Sequence, residues 1–189
     1  MPAAPDSFEL LYPSPEAMIG AGPLVLATWS IPAALASALT AAGRPIPPPV
    51  SGAMVLDTGA TFTSISSEAA ADLGLQAIRV AKTHGAGGVH ENFVYEATIQ
   101  IAIRDALGNQ TVVGNQMQVM GIPDLGKSLP GLQFGDQPIK VIGLLGRDFL
   151  RHATLVYDGA RGHFRVTINR ASIRTWIAQV PGAAPPGGT

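Results

Sequence analysis

The chain has 189 residues, of which 47% are hydrophobic and 13% charged, with a formal net charge of −1 and no cysteine. This is the composition of one globular domain with its own core, not of a disordered segment. Near-neutral charge without a basic block argues against nucleic acid and anionic membranes as partners, and the missing cysteines exclude disulfides, thiolate nucleophiles and zinc-thiolate sites.

Residues 1–21 read as a loosely ordered leader, followed by a domain over 22–180 and a disordered tail over 181–189. The opening "MPAAPDSFEL" lacks a basic region followed by an apolar one, which argues against a secretory signal and for a cytoplasmic protein. Residues 17–43 carry no charge over a length that could span a bilayer. Pro23 and Pro32 interrupt that run, however, and its Ala, Ser and Thr contribute little to insertion. The better reading is a strand, "PLVLATWSI", then a helical insertion near 32–43 with Pro32 in its first turn and Gly43 at its end. "RPIPPPVSG" is a stiff connector, and "AMVLDTG" is the next strand. "SSEAAADLGL" predicts a short helix capped by Ser66 or Ser67, with Glu68 at its positive end and Gly74 closing it.

The period then changes to two. "NFVYEATIQIAI" alternates as a half-buried strand does, and "TVVGNQMQVM" follows as another. "GIPDLGKSLPGLQFGDQP" is punctuated by Gly and Pro as a loop. "KVIGLLG" is a buried strand, "RDFLRHA" a short helix, and "TLVYD-GARG-HFRVTI" a hairpin. "ASIRTWIAQV" reads as a last strand or helix. The sum is a mostly-β domain with three short helices.

Two stretches carry chemistry. In "AMVLDTGAT" an apolar strand ends at Asp57, so a sheet ladder would fix its backbone. Gly59 and Ala60 then remove bulk, so that another segment can come close, and Thr58 supplies a hydroxyl. Far downstream, "VIGLLGRDFL" has Leu144, Leu145 and Gly146, then a helix opening at Arg147. Together these motifs resemble the retropepsin-like aspartic proteases, in which an aliphatic-aliphatic-Gly strand threads beside an Asp-Thr-Gly-Ala loop. Between them "THGAGGVHENFVY", with Gly85, Ala86, Gly87 and Gly88 at its tip, resembles the family's flap hairpin. The resemblance covers roughly residues 50–168.

The resemblance implies a retropepsin-like acid protease barrel with a flap and a few short helices. It also implies an aspartic endopeptidase in which Asp57 is catalytic and Thr58, Gly59 and Ala60 support the active-site loop. Leu144, Leu145, Gly146 and Arg147 would pack that loop, with neither cofactor nor metal. Two-lobed relatives carry two Asp-Thr-Gly motifs on a chain about twice as long, so a single copy implies a C2 homodimer acting on a peptide or protein. Viral members have an acidic residue where this chain has Thr61, so Arg147 needs a different partner. Residues 108–138 are also longer than in the smallest members.

Other readings compete. Asp57 beside Gly59 suits a plain strand-terminal turn. Asp57-x-Gly59-x-Thr61 also resembles the phosphate loop of actin-like ATPases, although those need two large lobes. A retropepsin fold without turnover would be a dimeric peptide-binding module. His84, His90, His152 and His163 lack the spacing of a helical metal motif. Asp105, Asp124, Asp136 and Asp158 read as turn residues, and Asp148 as a helix-start contact. Trp29 and Trp176 read as packing residues.

Overall fold

The computed structural model describes residues 6–85, 88–104, 107–123, 125, 133–134 and 137–169. Ala86 and Gly87, read from sequence as the tip of a flap, the element expected over 171–180 with Trp176, the tail 181–189, and Asp105, Asp124 and Asp136 lie outside them.

The first departure from expectation is at the start. Residues 7–21 are not a loose leader. β1 (Ser7–Leu11) pairs along its full length with the last hairpin strand, from Ser7↔Thr167 to Leu11↔His163. α1 (Pro15–Ala21) then buries Met18 completely. Ser14 caps that helix by accepting from Ala17 N, Pro15 fills a first-turn position whose N–H would be spare, and Glu16 faces the positive end. Tyr12 locks the turn beyond, because its hydroxyl donates to Gly22 O at 2.5 Å and accepts from Leu24 N at 3.2 Å.

The other predicted elements fall close to where the sequence puts them. β2 (Leu24–Ser30) leads into α2 (Ala33–Ala41), then β3 (Val50–Leu56). The uncharged run over 17–43 is thus split between a short helix, a strand and a second helix. Among the described residues no helix is long and apolar enough to cross a membrane. β4 (Ser64–Ser66) and α3 (Ser67–Asp72) follow, with Ser66 capping the helix through Ala69 N. Next come β5 (Arg79–Gly85), β6 (Gly88–Arg104) and β7 (Gln110–Ile122). Two short strands, β8 (Gln133–Phe134) and β9 (Gln137–Pro138), pair within the stretch read as loop. β10 (Val141–Leu145) and α4 (Arg147–Leu150) precede the hairpin of β11 (Ala153–Asp158) and β12 (His163–Ile168).

Strands β6-β2-β3-β10-β4-β7 follow one another in the sheet, and β7 pairs back onto β6 over 94–104. The result is a closed six-stranded barrel. β1, β12 and β11 extend it outward from β6, and β5 pairs with the first half of β6. Alternation drives closure: Ala97, Ile99, Ile101 and Ile103 of β6 all point inward and are buried. They meet Trp29, Met54, Ile65, Ile142 and Leu145 in one core. The Trp29 indole N–H, fully buried, donates to Ile142 O at 3.3 Å and so is not left without a partner.

The arrangement of β3, β10 and β4 positions the site. β10 runs parallel to β3 on one side and antiparallel to β4 on the other. The loop 57–63, which joins β3 to β4, must therefore pass across the end of β10. Two glycines make that crossing possible. A Cβ on Gly143 would run into Ser64 O, and one on Gly146 would lie 2.6 Å from Phe62 O and 2.8 Å from Thr63 N, both of them backbone atoms.

Candidate active site

Asp57 is the first residue past β3. Its N–H donates to Leu145 O at 3.0 Å, extending the β3–β10 ladder by one rung. Its carboxylate turns over the loop that follows. Oδ1 accepts from Gly59 N at 2.8 Å and Ala60 N at 3.2 Å. Among the described residues no donor reaches Oδ2, so one oxygen is held by the loop and the other is not. Asp57 is half-buried, and Thr58 and Gly59 are exposed.

The downstream motif grips this loop from beneath. Arg147 N donates to Ala60 O at 3.0 Å and Asp148 N to Thr61 O at 3.2 Å. The Arg147 guanidinium reaches Thr58 O at 3.3 Å and Thr61 Oγ1 at 2.9 Å. Thr61, whose presence removes an acidic partner, thus itself accepts from Arg147.

Sequence reasoning missed the tie behind these contacts. Thr63, fully buried, donates its hydroxyl to Asp148 Oδ1 at 2.7 Å and accepts from Gly146 N at 3.1 Å. Asp148 Oδ1 also accepts from Thr63 N and Phe149 N, both at 2.8 Å. Asp148 therefore does contact its helix start, as expected, but it also joins the helix to the loop 57–63.

Above Asp57 lies an open cleft of about 560 Å³, bordered by Gly59, Phe62, Leu144 and Ile122 and, from β5, by Lys82 and Thr83. β5 and β6 form the hairpin expected here, with Gly85 paired to Gly88 at its described end. Gly88 has φ +106°, a conformation that needs glycine. Leu144 lines the cleft, while Leu145 and Gly146 are buried in the crossing. Lys82 carried no sequence signal, and Thr83 only as the first residue of the stretch resembling a flap hairpin, since both belong to a strand with no apolar alternation to mark it. His84 and His90 lie on that hairpin at adjacent rungs, His90 being paired with Thr83 and His84 with Val89, while His163 lies on β12. Among the described residues no group of three or more His, Asp or Glu side chains is placed to hold a metal ion.

The profile of one family, described as aspartyl protease, matches residues 42–149. The chain belongs to the aspartyl protease family. The matched span includes both Asp57-Thr58-Gly59-Ala60 and Leu144-Leu145-Gly146-Arg147; β1, α1, β2 and α2 lie before it and the β11–β12 hairpin after it. Among solved structures, a retropepsin-like aspartic protease from Rickettsia conorii matches with a TM-score of 0.38 and 13% identity, over 87% of this chain and 94% of that chain. No curated protein matches the chain.

Proposed function

We propose that the protein is an aspartic endopeptidase and that its working unit is a homodimer with one Asp57 from each subunit at the two-fold axis. The observation that carries this reading is the fixed Asp57. Its backbone is tied to β10, one carboxylate oxygen is held by the loop, and the residue lines an open cleft. The chain has a single Asp-Thr-Gly, so a second carboxylate has to come from a second copy. Exposed Thr58 and Gly59 would meet their counterparts there, the Thr58 hydroxyl bonding to the facing loop.

Two carboxylates about 3 Å apart share one proton, a property taken over here from aspartic proteases as a class. The ionised member takes a proton from a bound water, whose oxygen attacks the peptide carbonyl. The protonated member donates to the carbonyl oxygen as it becomes a hydroxyl. Any pH profile would report the pair and not one residue. The β5–β6 hairpin would act as the flap, adding its backbone to an extended peptide and excluding water.

Digestion of a peptide library, read by mass spectrometry from acidic to neutral pH, tests the proposal. Cleavage is expected from the wild type and not from Asp57→Asn. Equal cleavage by both would refute the site assignment. A stable dimer in sedimentation without any cleavage would favour a peptide-binding module instead.

A further inference from the structure

A second chamber of about 470 Å³ opens beside the Asp57 cleft. The two share Phe62, Lys82, Thr83 and Met120 as a common wall, so they are compartments of one groove. Val94, Met117 and Val119 give the chamber an apolar lining. Its charged lining is lopsided, with Arg79, Lys82 and Arg151 facing a single carboxylate, Asp148.

The two opposing charges with partners can be set aside. Asp148 Oδ1 already accepts three hydrogen bonds, and Lys82 has Glu91 at 3.7 Å. The two arginines remain. Arg79 donates one Nη to Gln118 Oε1 at 3.2 Å, and Arg151 donates Nε to His152 Nε2 at 2.9 Å. Both partners are neutral acceptors. Burial, and then the charge of Arg151, push the His152 pKa below its ordinary value, which keeps its Nε2 free to accept. Among the described residues neither arginine has a carboxylate within ion-pair distance. Each guanidinium is therefore held in place by one neutral contact, with most of its five N–H groups unused.

We infer that this chamber is a substrate pocket for an acidic side chain, glutamate fitting best, with its methylenes on the apolar lining and its carboxylate taken by Arg79 and Arg151. The inference rests on the reading that the Asp57 cleft holds a peptide. A peptide lying along that cleft under β5 passes the shared wall and can drop a side chain into the chamber. An acidic side chain there gains charge-assisted, fork-shaped hydrogen bonds. A basic one meets like charges and a carboxylate already in use, which sets specificity by repulsion as well as attraction.

The test uses degenerate peptide pools that differ only in Glu, Gln or Lys at one fixed position, scanned along the peptide. Cleavage by the full-length wild type and binding to Asp57→Asn by fluorescence anisotropy are measured in parallel. At one position the Glu pool is expected to be cut, and bound, about tenfold better than the Gln pool. Arg79→Gln with Arg151→Gln should bring both ratios near one, whatever the absolute rate, and Arg151→Glu should shift preference toward the Lys pool. Both arginines are exposed, and circular dichroism verifies that the variants fold. A Glu/Gln ratio near one in the wild type, or a ratio unchanged in the double variant, overturns the inference. Cleavage without Glu preference leaves the peptidase standing and removes the pocket. Selective binding through the arginines without cleavage keeps the pocket and removes the peptidase.

Discussion

Thr63→Val isolates the tie that holds the loop 57–63 onto α4. Valine keeps the shape of a side chain that is fully buried but removes its hydroxyl. One hydrogen bond to the ionised Asp148 is lost, worth about 1.5–3 kcal/mol, and Gly146 N, itself buried, is left unsatisfied at a cost of about 1–3 kcal/mol. The added methyl returns about 0.8 kcal/mol. The net expectation is a loss of about 2–5 kcal/mol. Urea unfolding followed by tryptophan fluorescence and circular dichroism measures it, at fixed protein concentration because association would add to apparent stability. Thr63→Ser keeps the hydroxyl and should lose far less. A Thr63→Val loss below about 0.5 kcal/mol, the size of an ordinary surface change, would refute the reasoning.

Gly146→Ala should destabilise by about 1–3 kcal/mol or more in the same assay, because its Cβ meets backbone atoms of Phe62 and Thr63 that cannot rotate away. Arg147→Ala should lower kcat/KM about tenfold with little change in the urea midpoint, since the exposed side chain positions the loop more than it stabilises the fold. Arg147→Lys should not rescue it, because one ammonium cannot reproduce a fork that reaches Thr58 O and Thr61 Oγ1 together. His152 has a lowered pKa, first from burial and then from Arg151, so the unfolded chain binds its proton more readily than the folded one. Stability should therefore fall as pH drops below about 6.5 and through the folded value. His152→Gln should reduce that slope when urea midpoints at neutral and acidic pH are compared.

The parts of the candidate site that are contiguous in sequence were legible as structure. An apolar run ending in Asp57, and another ending in Gly146, mark buried strands and a place where only a hydrogen side chain fits. The clasp between Thr63 and Asp148 was not, because it joins residues 85 apart, Thr63 has no local signature, and that of Asp148 points only to its own helix. Arg147 was legible as a loop-packing residue, but its acceptors emerged only once Thr61 was seen beneath it. Ser14-Pro15-Glu16 shows the opposite case. It is a helix start written out in sequence, yet residues 1–21 read as a loose leader, because the strand that orders β1 lies more than 150 residues later. β5 escaped full recognition because both of its faces meet solvent, so no burial pattern marks it.

The length of β6 has a mechanical consequence. Its residues 94–104 pair with β7 as staves of the barrel, while 88–93 extend beyond it, and 88–94 carry β5. Val80, Val89 and Phe93 on this arm are all more than half exposed, so it has no core of its own. The arm is a cantilever clamped near Val94, which is buried. Seven residues of strand make a beam about 23 Å long, and a rotation of about 5° at the clamp moves its far end by about 2 Å. Small changes in packing around Ile99 and Ile101, deep in the barrel, would therefore be magnified at the height of the arm over Asp57. Amides of 88–93 should exchange with solvent when the arm alone lifts, whereas those of 95–104 must wait for the barrel to open.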